Sequence, residues 1–541
     1  MSIDMILLLA LGGLILVVAI VGVLVARGGR TKAASESTGA VRPTGRGWTG
    51  PGGGASSFVQ PPAEWRGTSV QVCGLWPFSI GAGTPMVGVP LGRHIQTGAT
   101  LCCDPISWFQ RAKLISNPSL FVLGKPGLGK STLVARMATG LAGYGVMPLV
   151  LGDLRPDYVD VIKALGGQVI RLGRGRGYLN ILDPGEAKSA AERLRAAGFE
   201  NEANEVLEDA HGRRLAMVSS LLTILRKTEP DDVEESIIDQ ALRILDRDFD
   251  GVPVLANLLD VVKAGPDELR QVAVDRGDFG EYQKITRGLE ASLTSLSRGG
   301  RLGEMFSKHT TVAMKMDSPV VYDVSAIGES EGPLRAATLL ACWSNGFATV
   351  NIANVLADAG LEPRRHYFVI MDELWRALRA GNGIVDRVDF LTRLNRQVGV
   401  GTAMISHTMA DLNALPEEDR MKAKGFVERS GMVICGGLPY TEMPELTSVV
   451  PFSGAEQELL TTWQNPPAWD PSTGREADPP GRGMFLVKVG TRPGIPVKVE
   501  LTEAEKAIRD TNQRWSEQSR VARRALHVVD ELVEAHEEKV S

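Results

Sequence analysis

Residues 119–141, SLFVLGKPGLGKSTLVARMATGL, leave the fold little freedom. A short apolar run enters Gly124, Lys125, Pro126, Gly127, Leu128 and Gly129, and apolar residues at helical spacing resume after Lys130, Ser131 and Thr132. The run reads as a strand buried on both faces, the glycines as a loop passing through left-handed backbone, and the later spacing as a helix. From Gly124 to Ser131 the pattern is G-x-x-x-x-G-K-S, in which converging backbone N–H groups and a helix N-terminus suit phosphate oxygens. On that basis residues 124–132 are expected to bind the phosphates of ATP. Lys130 would reach the β- and γ-phosphates, and Ser131 would ligate Mg2+.

A second stretch, HYFVIMDELWRAL at residues 366–378, ends an apolar run on two adjacent carboxylates, Asp372 and Glu373. Burying an unpaired carboxylate is costly, so the pair needs a cation, a partner or water. Mg2+ answers for Asp372, which would hold it through its water shell. Glu373 would point at a water attacking the γ-phosphate, which makes the reaction hydrolysis.

Further apolar runs, MPLVLGD, QVIRLG, PVVYDVS and GTAMISH, alternate with helical patterns, and MVICGGL and GMFLVKVG extend the series. Such alternation predicts an α/β fold, a doubly wound and mostly parallel sheet covered on both faces. Residues 66–185 supply a β-rich lead-in and the first part of this core, and residues 299–501 the second. Between them, residues 186–298 carry apolar residues at helical spacing and read as a helical insertion domain. Residues 502–541 read as a charged helix.

At 541 residues the chain is too long for one hydrophobic core. With 43% hydrophobic and 23% charged residues, most of it should fold. A net charge of -5 argues against a bulk nucleic-acid binder, although a channel can be locally basic. Cys73, Cys102, Cys103, Cys342 and Cys435 are odd in number and lack the spacing of a disulfide framework or a zinc site, so they read as reduced thiols.

Residues 5–25, MILLLALGGLILVVAIVGVLV, contain no charge and are long enough to cross a bilayer as a helix. Asp4 precedes them, and Arg27, Arg30 and Lys32 follow, which puts residues 1–4 outside and the body in the cytoplasm. The segment lacks the basic lead and short apolar core of a signal peptide, so a single-pass anchor in the cytoplasmic membrane is expected. Residues 26–65, rich in Gly, Ser and Pro, read as a flexible tether.

Several stretches together resemble the conjugative-transfer and type IV secretion ATPases of the HerA–FtsK superfamily, the TraC-like secretion ATPases among them. They are VPLGRHIQTGATLCCD before the glycine loop, GDLRPDYVDVIKALGGQVIRLG with YLNILDP (Asn180 and Asp183), and GVPVLANLLDVV. LGEMFS with PVVYDVSAIG, RSGMVICGG and PGRGMFLVKVG complete the set, which spans residues 90–511. The resemblance implies a RecA-like core, a homo-hexameric ring and the movement of protein or DNA across a cell envelope. Its partners would be inner-membrane secretion or conjugation channel proteins, with DNA among them where DNA is the cargo. A single anchor without a large N-terminal domain departs from typical secretion ATPases and is similar to coupling proteins and FtsK-like DNA pumps. Secretion motor and DNA pump therefore both stand, beside a nucleotide-switched membrane scaffold.

A ring ATPase uses an arginine from the neighbouring subunit against transition-state charge. The family places a basic residue just before the next strand, which implies Arg396, with Arg393, Arg298 and Arg301 as alternatives. GTAMISH ends in Ser406 and His407 where relatives carry Thr-Gln. His407 would then sense the γ-phosphate with a group that titrates near neutrality.

The anchor is directly testable. Removing residues 1–30 should move the protein from the membrane to the soluble fraction with its intrinsic ATPase activity retained. Recovery of the full-length chain in the soluble fraction without detergent would contradict the anchor.

Overall fold

Strands that are apolar on both faces are stable only between two covering layers. The computed structural model has this architecture. It describes residues 84–298, 302–379, 399–466 and 479–508, with 385, 388, 389, 469, 470, 475 and 476. The expected anchor and tether, Cys73, Arg301, Arg393, Arg396 and the chain after 508 lie outside the described residues. The described residues belong to one unit, Arg66–Ser541.

The strands are β1 (Pro90–His94), β2 (Thr100–Cys102), β3 (Ser119–Leu123), β4 (Val146–Asp153), β5 (Gln168–Arg171) and β6 (Val320–Asp323). They continue as β7 (His366–Met371), β8 (Val400–Ile405), β9 (Met432–Cys435), β10 (Trp469–Asp470), β11 (Arg475–Glu476), β12 (Met484–Lys488) and β13 (Ile495–Val499). Eleven of them form one sheet in the order β2-β1-β13-β12-β9-β3-β8-β7-β4-β6-β5, and β10 pairs with β11 separately. From β9 to β5 every pairing is parallel. The other side is antiparallel: β12 pairs with β9 and β13, β13 with β1, and β1 with β2. GMFLVKVG therefore does not extend the parallel series. It turns back along β9 and joins the lead-in strands to the end of the core.

Side chains alternate between two apolar clusters. Phe121, Leu123, Leu149, Leu151, Tyr367, Val369 and Met371 face one cluster. Leu120, Val122, Val150, Phe368 and Ile370 face the other, where Leu133, Met137 and Leu141 of the helix Lys130–Gly143 cover them. The first face is covered by the helix Gly332–Asp358, which is long and apolar enough to cross a membrane but is mostly buried in this fold. It sits close on β4: a Cβ on Gly346 would meet Leu151 at 2.4 Å, and one on Gly152 would meet Leu339 at 2.3 Å.

Between β5 and β6 the chain forms helices Ala187–Ala196, Glu200–Arg226, Asp232–Asp248, Leu255–Ala264, Asp267–Ala273 and Phe279–Ser297. Leu221, Leu242, Leu258, Tyr282 and Leu293 belong to the same apolar cluster as the first sheet face. Asn180 opens this region. Its Nδ2 donates to Pro253 O at 2.8 Å, and its Oδ1 accepts from Leu182 N at 3.0 Å. The described cysteines, Cys102, Cys103, Cys342 and Cys435, are buried free thiols.

An ionic network of two buried cationic side chains and two partly exposed carboxylates ties two of these helices together. Arg214 donates to both carboxylate oxygens of Asp246, at 2.7 and 2.5 Å. His211 faces Asp239 with Nε2 at 2.7 Å and Asp246 with Nδ1 at 3.5 Å, an arrangement that suits a protonated ring. The Asp246 hydrogen bond raises the His211 pKa against the effect of burial, and Asp239 adds to it. Burial works against both carboxyls, but His211, with Arg214 at Asp246 and Arg243 at Asp239, holds them below the usual range.

A raised histidine pKa contributes stability that is complete below the unfolded value of about 6.5 and is lost as pH rises through the folded value. The depressed carboxyls contribute above about 3.9 and lose their contribution as pH falls. His211→Gln should therefore reduce amide-exchange protection of Glu200–Arg226 and Asp232–Asp248 most at about pH 5–6.5, with the deficit shrinking as pH rises. A deficit independent of pH would contradict the charged network.

Candidate active site

Parallel strands end on one edge of a sheet, so whatever follows them is brought together. Here β3 leads into residues 124–131, β4 ends on Asp153, β7 precedes Asp372 and Glu373, and β8 precedes His407. Because β8 lies between β3 and β7, His407 sits between the glycine loop and the acidic pair.

The loop is fastened to the neighbouring strand tips. Gly124 N donates to His407 O at 2.9 Å, and Lys125 N to Gly437 O at 3.0 Å. Gly483 N, in the turn before β12, donates to Leu128 O at 3.0 Å. Gly127 and Gly129 have φ of 82° and 97°, values a side chain would strain. Gly129 occupies the N-cap of Lys130–Gly143, so no side chain caps that end and the helix dipole faces the cleft.

Lys130 is 7% exposed. Its ammonium donates to Gly124 O at 2.6 Å and Lys125 O at 3.2 Å, and lies 3.1 Å from His407 Nδ1. Burial lowers its pKa to about 8, against the pull of Asp372 and Glu373. Asp372 Oδ2 accepts from the Tyr158 hydroxyl at 3.2 Å and from Ser131 Oγ at 3.5 Å, and Oδ1 accepts from Glu373 N at 2.8 Å. Burial pushes the Asp372 carboxyl up to about 6, and the charge of Glu373 adds to the shift.

Asp153, 2% exposed, accepts from Asp157 N at 3.2 Å and Tyr158 N at 2.8 Å. It thus fixes the turn that aims the Tyr158 hydroxyl at Asp372. Glu373 is in the left-handed region at φ 54°. Its Oε2 accepts from Trp375 Nε1 at 2.7 Å and Arg376 Nε at 3.3 Å, and lies 3.5 Å from His407 Nε2.

Gly129, Lys130, Ser131, Asp153, Asp372, Glu373 and His407 line a cleft of about 300 Å³, together with Gly127, Thr132, Arg155 and Arg482. Size and lining suit a chain of phosphates. Lys130, Arg155 and Arg482 bring cations to its lining, and Ser131 with Asp372 forms an oxygen pair of the kind that holds Mg2+.

The residues expected from sequence at 124–132, with Asp372, Glu373 and His407, converge on this cleft or its loop. Arg298, at the end of Phe279–Ser297, is not in its lining. His407 faces the glycine loop on one side and the acidic pair on the other. Burial, then Lys130, lowers its pKa, and its N–H can be directed at Glu373 if Nδ1 accepts from Lys130. Tyr158, Arg155, Trp375 and Arg482 were not anticipated. Trp375 is close in sequence, two residues past Glu373, but that spacing alone does not turn its N–H to the carboxylate.

No family model matches the chain, and no curated protein matches it. Among solved structures, VirB4 of Thermoanaerobacter pseudethanolicus is similar at a TM-score of 0.57 and 18% identity, covering 78% of this chain and 99% of that one. The plasmid coupling protein TrwB in complex with the non-hydrolysable ATP analogue ADPNP aligns at a TM-score of 0.43 and 13% identity, covering 72% of this chain and 87% of that one. The first likeness shows that this α/β fold is shared with VirB4.

Tyr158 supports Asp372 from behind. Tyr158→Phe should raise the Mg2+ concentration needed for nucleotide binding by about tenfold while leaving the fold intact. A Mg2+ titration identical to the parent's would remove Tyr158 from the site.

Proposed function

We propose that this chain is a membrane-anchored ATPase that powers conjugative transfer or type IV secretion, hydrolysing ATP to move macromolecules across the cell envelope. The observation that carries this reading is the convergence of Lys130, Ser131, Asp372 and Glu373 on one cleft beside a glycine loop, in a fold shared with VirB4.

The N–H groups of residues 124–132 bind the phosphates, and the dipole of Lys130–Gly143 favours their charge. Lys130 exchanges its contacts with Gly124 O and Lys125 O for β- and γ-phosphate oxygens, exchanging two neutral acceptors for anions. Ser131 and Asp372 would hold Mg2+, which when bound neutralises charge on the phosphates. Glu373 orients the attacking water and takes its proton. His407, facing both Lys130 and Glu373, reports the state of the phosphate side to the base. Arg396 of a neighbouring subunit in a homo-hexamer stabilises the transferring group.

The anchor at residues 5–25 and the tether hold the ATPase body at the cytoplasmic face, beside inner-membrane channel proteins of the secretion or conjugation system. The apolar run at residues 5–25 also suits a second reading, a DNA-pumping coupling protein. A nucleotide-switched scaffold is the third, and the intact set Lys130, Asp372 and Glu373 speaks against it.

Steady-state phosphate release separates these readings. Lys130→Ala should lose nucleotide affinity and hydrolysis together. Glu373→Gln should bind ATP normally and hydrolyse it about 10²- to 10⁴-fold more slowly. Turnover at the parent rate in Glu373→Gln would remove it as the base, and no phosphate release from the parent would leave the scaffold. Stimulation by DNA would favour the pump over the secretion motor.

A further inference from the structure

Glu373 is held by Arg376 at helical spacing and by Trp375, a neighbour that helical geometry would not supply. On a regular helix, residues two apart do not face each other. The left-handed backbone at Glu373 brings Trp375 round to its carboxylate, so that the indole N–H donates to Oε2 at 2.7 Å and Arg376 Nε does so at 3.3 Å. His407 Nε2 lies 3.5 Å from the same oxygen. All these contacts fall on Oε2, and Oε1 has none among the described residues, while Glu373 lines the cleft.

The donor itself is clamped. The guanidinium groups of Arg376 and Arg379 lie 4.5 and 4.9 Å from the Trp375 ring centre. Arg379 donates in turn to Asp411, at 3.0 Å to the backbone oxygen and 3.2 Å to Oδ1. Asp411 caps the helix Met409–Asn413, which follows His407. An indole packed against two cations, one of them tied to the next strand's exit, presents its N–H in a fixed direction.

We propose that Trp375 and Arg376 are positioning residues for Glu373. Their N–H groups fix Oε2, so that Oε1 is presented to the attacking water. The inference rests on the reading of Glu373 as the base.

Phosphate release and nucleotide affinity of the full-length protein in detergent test it. Trp375→Phe keeps the stacked ring and removes only the N–H. It should lower kcat about tenfold and leave KM and nucleotide affinity at the parent's values. Arg376→Met, which keeps the indole and removes the second N–H, should show the same split and provides an independent arm should Trp375→Phe not fold. In a Glu373→Gln background, Trp375→Phe should cause no further loss in single-turnover release, because both changes act on one group. Turnover at or above the parent's rate in both variants, or an equal further loss in the Glu373→Gln background, would overturn the inference. A parent that releases no phosphate would overturn the hydrolase reading itself, and with it this inference.

Discussion

A cation carried below the protein surface costs several kcal/mol unless anions and acceptors surround it, against a total stability of about 5–15 kcal/mol. Lys130 is such a cation, and the carboxyl edge of the sheet is built around it. Gly124 O and Lys125 O take two of its protons, His407 is placed for the third, and Asp372 and Glu373 supply the opposing charge. These groups follow three strands: Gly124 and Lys125 come after β3, Asp372 and Glu373 after β7, and His407 after β8. The cluster is therefore satisfied only when β3, β7 and β8 are paired in register. Assembly of the sheet and formation of the phosphate cleft are one event.

That dependence also explains a strained residue. A non-glycine backbone in the left-handed region costs on the order of 1–3 kcal/mol. Glu373 adopts it directly after β7, whose Phe368, Val369, Ile370 and Met371 are fully buried. Truncating one such large side chain costs about 3–5 kcal/mol, so the strand easily outweighs the strain at its tip. The rigid strand and the following turn allow an unfavourable backbone to persist where the carboxylate must face the cleft.

Much of this was legible in the sequence where a local rule applies. The glycine loop, the double carboxylate and the unbroken apolar runs each follow from steric or solvation rules that act over a few residues. What escaped needed pairing information. Nothing local says that GMFLVKVG runs antiparallel beside β9, because an apolar strand looks the same in either direction. Tyr158 reaches Asp372 from 214 residues away in the chain, and Arg482 enters the cleft from the turn before β12. His407 was identified by its place after a strand, but its partners were not. A histidine's role depends on what faces each ring nitrogen, and here those are Lys130 and Glu373.

The antiparallel side of the sheet sets the order in which the protein can be completed during synthesis. β1 pairs with β13, and Arg93 meets Glu500, 407 positions further along the chain, across that seam. At about 5–20 residues per second, roughly 20–80 s separate the emergence of the two sides. Throughout that interval β1 has β2 on one side but lacks β13 on the other, and β9, once formed, presents an open edge to other chains. β12 and β13 close that edge and seat Gly483 against the glycine loop in the same step. The nascent chain thus reaches a closed sheet and a braced phosphate loop together, so partly made copies carry neither.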